Sequence, residues 1–98
     1  MAGVVHFLPA ARLEIIEARD WYAGRAAGLG DAFIAEIDRK VELIAANPAA
    51  FAVIHEDIRR ARLRRFPYSL LFRDIGNECF VLACFHASRD PKYWRQRV

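Results

Sequence analysis

Residues 57–86 read DIRRARLRRFPYSLLFRDIGNECFVLACFH, a run of three strand-like segments. From Asp57 to Phe66 arginines alternate with apolar residues. Arg60, Arg62 and Arg64 fall on one face and Ala61 and Leu63 on the other, the two-residue period of a strand. Phe66-Pro67-Tyr68 marks a bend, because proline has no N–H to give to a central ladder. Ser69–Ile75 is a second strand, closed by the hairpin signal Gly76-Asn77. Glu78–His86 is a third, apolar on both faces and therefore interior to its sheet.

Working outward, the N-terminal half is helical after one short strand, Val4–Leu8. Pro9 ends that strand and opens a helix, where its missing N–H is not needed. The helix runs over residues 9–26, with Ala11, Ile15, Ala18 and Tyr22 as its apolar stripe. Leu13 and Ile16 lie off the stripe and widen the apolar surface. Gly28 and Gly30 make a turn, and a second helix follows over residues 30–46 with Phe33, Ile37, Val41 and Ile44 inward. Asn47-Pro48 stops it. At the other end, Asp90 is placed to cap a short helical turn that starts at Pro91, with Tyr93 and Trp94 packing it back on the sheet. The order is β-α-α-β-β-β. That predicts one α+β domain over residues 1–98, an antiparallel sheet packed against a helix hairpin with a short C-terminal helical turn.

Composition narrows the function. The chain has 98 residues and is 55% hydrophobic, enough for its own core. No apolar run approaches the roughly 18 residues of a membrane-spanning helix, and the N-terminus lacks a basic region ahead of an apolar stretch. The expectation is a cytoplasmic protein with no membrane association. Cys79 and Cys84 lie five apart on one strand, which puts them on opposite faces and makes a disulfide between them implausible. Neither belongs to a CxxC pair, so no metal is expected, and no cofactor motif is present; Gly28-Leu29-Gly30 lacks the lysine and length of a phosphate loop.

Charge is unevenly spread. Residues 1–58 carry five basic and nine acidic side chains, a net of −4, whereas residues 59–98 carry ten basic and three acidic, a net of +7. Thirteen of the fifteen basic residues are arginine, whose planar donor fork suits phosphate and carboxylate. Five fall within Arg59-Arg60-Ala61-Arg62-Leu63-Arg64-Arg65. Charges guard sheet edges against aggregation, but lysine does that equally well, so part of this run is expected to meet an anionic partner. His6 and His55 read as structural or solvated. Ser69 and Ser88 have no partners that would make either a nucleophile.

Several phrases together resemble the RelE/ParE toxin superfamily: Trp21-Tyr22 late in the first helix, Gly28-Leu29-Gly30 before the second, Phe33, and Asn47-Pro48. Ile58-Arg59-Arg60, Arg65-Phe66-Pro67-Tyr68 and His86-x-x-Arg89-Asp90-Pro91-x-x-Trp94 complete the set. The resemblance spans nearly the whole chain and implies a type II toxin that arrests growth when its antitoxin is degraded. The implied antitoxin is a DNA-binding protein, of ribbon-helix-helix type, that forms a hetero-oligomer with the toxin.

The superfamily divides between ParE-like, plasmid-stabilisation toxins that inhibit DNA gyrase without hydrolysis and RelE-like nucleases that cut mRNA on the ribosome. Metal-free RNA cleavage needs proton transfer and charge stabilisation at the phosphorane. The nuclease branch typically places a basic residue where Ser69 stands, and serine supplies neither. The ParE-like reading is therefore preferred, with Arg59, Arg60, Arg62, Arg64, Arg65, Arg89 and Trp94 as target contacts and Leu13, Ile16 and Trp21 as antitoxin contacts. In the nuclease alternative, Arg62, Arg64, His86 and Arg89 form the catalytic site, His86 supplying acid–base chemistry. The plainer role for His86 is a hydrogen bond that holds the turn after its strand. A chain that has lost toxicity and only supports operon repression is a third possibility.

Overall fold

The computed structural model describes residues 3–97. Strand β1 (Val4–Phe7) leads into helix α1 (Pro9–Ala23), which Pro9 opens and Gly24 closes. Helix α2 (Leu29–Ala46) returns antiparallel and ends at Asn47, followed by a 3₁₀ turn at Pro48–Ala50. Two glycines make this hairpin possible. Gly28 has φ 78°, a left-handed conformation that favours glycine. A Cβ on Gly30 would stand 2.9 Å from the Arg19 carbonyl oxygen and 3.0 Å from the Ala23 Cβ, so the helices touch backbone to backbone there.

Four more strands follow: β2 (Val53–His55), β3 (Ile58–Arg62), β4 (Tyr68–Ile75) and β5 (Glu78–His86), and then the short helix α3 (Lys92–Arg95). They join β1 in one sheet of order β1-β5-β4-β3-β2. The α+β architecture matches the sequence reading, with the helix hairpin on one face of the sheet. Ala11, Ile15, Ala18 and Tyr22 of α1 and Phe33, Ile37 and Ile44 of α2 are all buried there with Ala61, Leu70 and Phe72 of the sheet. Tyr22, Phe33, Phe66 and Tyr68 meet at ring-centroid distances of 4.7–6.2 Å, mostly edge to face. A smaller cluster on the opposite face, Ile58, Leu71, Leu82 and Ala83, is covered by Trp94 of α3. The Asp90 carboxylate accepts the Lys92 N–H at 3.0 Å, the expected cap.

Four particulars differ from the sequence reading. β1 pairs with β5 in parallel, so the sheet is mixed rather than wholly antiparallel. A three-residue strand, β2, precedes β3 and takes the sheet edge, so the arginine-bearing β3 is second from the edge. Tyr93 is 58% exposed, and only Trp94 packs on the sheet. Finally, Cys79 and Cys84 are both buried in the helix-side core as free thiols. The β4–β5 register shifts between Leu71 and Phe72, whose partners are Ala83 and Val81. The extra residue, Leu82, breaks the alternation and brings both cysteines to one face.

β5 is paired by β1 only as far as Val81, whose carbonyl accepts the Leu8 N–H. Beyond it the outer edge is satisfied by side chains. Glu14 accepts the Cys84 N–H at 3.1 Å, and Arg97 donates to the Leu82 carbonyl at 3.0 Å. The two also pair with each other, Arg97 donating to both Glu14 oxygens at 2.9 and 2.8 Å. This raises the Arg97 pKa, chiefly through the Glu14 hydrogen bond. Glu14→Ala leaves a strand N–H and a guanidinium without an acceptor, and unfolding in urea should show a loss of about 2–4 kcal/mol. Glu14→Gln, which can still accept the Cys84 N–H, should lose clearly less.

Candidate functional site

The register of β3, β4 and β5 sorts the arginines by face. Arg60 pairs with Leu71 and Arg62 with Ser69, while Leu71 and Ser69 pair with Ala83 and Phe85. These side chains share the face that carries α3, away from the hairpin. Arg59 points the other way and is half-buried, its guanidinium donating to the Phe51 carbonyl at 2.7 Å. Arg64 and Arg65 lie on the turn between β3 and β4. Arg89 and Arg95 approach from the C-terminal segment, stacked over Tyr93 and Trp94 at 5.5 Å each.

Together Arg60, Arg62, Arg64, Arg65, Arg89 and Arg95 line an open groove of about 850 Å³ floored by Ser69, Leu71, Phe85 and Trp94, with no Asp or Glu among its lining residues. Among the described residues none of the six forms an ion pair. Of the other seven arginines, three form ion pairs and Arg59 is held by a carbonyl, whereas Arg12, Arg25 and Arg39 form no ion pair among the described residues. Arg73 pairs with Asp57 at 3.0 Å, Arg97 with Glu14 and Arg19 with Asp20. Neighbouring groove arginines on one strand stand about 6.6 Å apart, a repulsion of about 0.6 kcal/mol per pair even in water. A fold gains nothing by collecting such charges, whereas an anionic ligand would relieve several repulsions at once.

His86 does not join them. It pairs with Tyr68 in the ladder and stands edge-on to that ring at 4.9 Å, on the hairpin side of the sheet. Its Nδ1 accepts the Ser88 N–H at 3.0 Å and lies 2.8 Å from Ser88 Oγ, and its carbonyl accepts the Arg89 N–H. The neutral ring therefore carries its proton on Nε2. These bonds hold the turn that places Arg89. His86 lines a second cleft, of about 530 Å³, between α1 and the end of β5 with Glu14, Glu17, Trp21, Tyr22, Tyr68 and Arg89. Tyr22 and Tyr68 have raised pKa values, mainly from burial, and the Cys84 thiol is pushed up to about 12 by burial and then by Glu14. All three stay protonated near neutrality and offer no base. The nuclease set is thus divided by the sheet, with Arg62 and Arg64 at the groove, His86 behind it, and Arg89 at the rim of both clefts.

The other sequence candidates are scattered. Trp94 is 4% exposed and forms the groove floor, so it presents little surface of its own. Leu13 and Ile16 are exposed on the outside of α1, about 60° apart around the helix, whereas Trp21 lies about 140° from Ile16 and faces the second cleft. Arg25 covers the Trp21 ring at 4.3 Å. Of the other histidines, His6 pairs with Glu78 at 2.9 Å and His55 stands edge-on to Trp94. Among the described residues no group of acidic, histidine and cysteine side chains is placed to hold a metal ion.

Residues 5–91 match the model of a family described as the ParE toxin of the type II toxin–antitoxin system parDE. The chain belongs to the ParE toxin family. Its fold is that of two solved toxin structures. One, described as the chromosomal ParDE TA system from P. aeruginosa, is 21% identical with a TM-score of 0.71, over 89% of this chain and 98% of that one. The other, a double arginine-to-alanine mutant of E. coli toxin RelE in the free state, is 17% identical with a TM-score of 0.61, over 100% and 99%. Comparison with curated protein sequences gives no match.

Sequence reasoning passed over two residues that shape the ParE groove. Arg95 was not among the sequence candidates. Glu36 was not among them either, yet its carboxylate accepts the backbone N–H groups of Arg64 and Arg65, the latter at 3.1 Å. Nothing local in the sequence announces a contact across 28 residues. The unpaired groove charges carry a measurable consequence. Replacing Arg60 and Arg62 with Gln should raise stability by about 1 kcal/mol at low salt, an advantage that disappears near 0.5 M salt as screening takes over. Thermal melts across a salt series check this.

Proposed function

We propose that this ParE-family toxin acts as a binding protein, inhibiting DNA gyrase through the arginine groove without cutting RNA. The observation that carries the reading is the division of the site: six guanidinium groups without an ion pair among the described residues line one groove, while His86, at the end of β5, lies on the other face of the sheet. Cleaving RNA without a metal requires a proton donor and acceptor within hydrogen-bonding reach of the same phosphate. Here Ser69 stands beside Arg62, Tyr22 and His86 lie behind the sheet, and Tyr68, at the end shared by both clefts, keeps its proton near neutrality. The groove suits multidentate recognition of carboxylate or phosphate, with Arg60, Arg62, Arg64, Arg65, Arg89 and Arg95 as target contacts. In this reading Arg59 serves the fold, and Trp94 supports Arg95.

The same reading includes a cognate antitoxin, as in the ParDE system of the P. aeruginosa structure, and places both partners in the cytoplasm. The exposed Leu13 and Ile16 on α1 are proposed antitoxin contacts, with Trp21 contributing across the helix. A DNA-binding antitoxin of ribbon-helix-helix type would make the complex its own repressor. The RelE likeness keeps ribosome-dependent cleavage as the competing reading, and one paired assay separates them. Purified toxin should block gyrase supercoiling and leave ribosome-bound mRNA intact. Arg60→Ala/Arg62→Ala should need at least about tenfold more protein for the same inhibition, while His86→Ala stays near wild type. Cuts at codon positions in a translation reaction, lost on His86→Ala, would overturn the proposal.

A further inference from the structure

We propose that Glu36 is a positioning residue for the functional groove: from the opposite side of the sheet it fixes the turn that presents Arg64 and Arg65. The proposal rests on the groove reading above. The turn joins β3 to β4, and its ends are tied by the Leu63 N–H to the Tyr68 carbonyl at 2.9 Å. Between them, the successive N–H groups of Arg64 and Arg65 point at α2 and donate to separate oxygens of the Glu36 carboxylate, Arg64 to Oε2 and Arg65 to Oε1 at 3.1 Å. Both bonds are charge-assisted, and a carboxylate held at both oxygens cannot pivot.

A second anchor lies one turn earlier on the same helix. Phe33 is fully buried and meets the Phe66 ring edge to face at 5.2 Å. α2 therefore grips the turn twice, by backbone at residues 64 and 65 and by side chain at residue 66. Because Glu36 is taken up by main-chain N–H groups, it forms no ion pair among the described residues, and both guanidinium groups stay available. A charge–charge contact from Glu36 to either arginine would have withdrawn that arginine from the groove. The consequence is mechanical: two of the six groove cations take their position from the hairpin, so a displacement of α2 at Glu36 changes the groove across the sheet.

The test has two arms. Amide hydrogen exchange on the whole chain should show Arg64 and Arg65 exchanging about tenfold faster or more in Glu36→Ala, with the core amides of Leu70 and Phe72 unchanged. Glu36→Gln, which retains one acceptor oxygen, should restore part of the protection. In the gyrase assay, Glu36→Ala should weaken inhibition about as much as Arg64→Ala/Arg65→Ala does, and should add nothing in that double-variant background. Unchanged exchange at both amides overturns the proposal. An equal further loss in the double-variant background overturns it as well, since that marks a general folding defect. Wild-type protein that never inhibits gyrase removes the functional reading instead, and the exchange arm alone then decides for or against Glu36.

Discussion

The outer edge of β5 beyond Val81 is the constraint around which the molecule is arranged. β1 is four residues long and leaves the ladder at Phe7, yet β5 runs on to His86. An unpaired strand edge in a small protein exposes main-chain groups that must be satisfied or will pair with another chain. Here a carboxylate from α1 and a guanidinium from the C-terminal segment take the place of the missing strand. That solution requires α1 to lie directly along β5 and the tail to return beneath it. The tail's path carries Trp94 onto the second face of the sheet and Arg89 and Arg95 to the groove. One edge contact thereby links the fold to the positions of its groove charges.

The arginines of the sheet and the C-terminal segment fall into two groups, and their partners distinguish them. Arg59, Arg73 and Arg97 are each held by a carbonyl or carboxylate, and Arg97 ties together the two ends of the chain. The groove arginines have no such partner and sit where their mutual repulsion costs stability. Retaining an arrangement that weakens the free protein is characteristic of a binding surface. The largely apolar floor, with Leu71 and Trp94 buried and Phe85 half-buried, lowers the local dielectric beside the guanidinium groups and strengthens their attraction for an anion.

Much of this was legible in the sequence, because the signals were local and periodic. The stripes of both helices, the strand Glu78–His86, the cap at Asp90 and the alternation from Arg60 to Arg62 follow from spacing alone, whereas Arg64, expected on the same strand, lies on the turn beyond it. What escaped depended on pairing across the sheet. Val53–His55 is too short to carry a period, and the parallel partner of β1 lies more than seventy residues downstream. The bulge at Leu82 has no residue signature, and it alone reverses the faces expected for Cys79 and Cys84. The site was half visible. A basic run announces an anionic partner, but that Arg59 and His86 turn away from it follows only from register. Glu36 was hidden for the same reason, since a glutamate bound by a distant turn looks like any solvated helix residue.

In the proposed function the arginine groove, and no acid–base site behind the sheet, is the working surface. A hydrogen-exchange footprint of the toxin bound to its target measures this most directly. Complexed with gyrase, the toxin should gain protection at residues 60–65 and 89–95, with the second cleft around Tyr22 and His86 unchanged. Protection confined to that second cleft or to the outer face of α1, with the groove exchanging as in the free protein, would contradict the account.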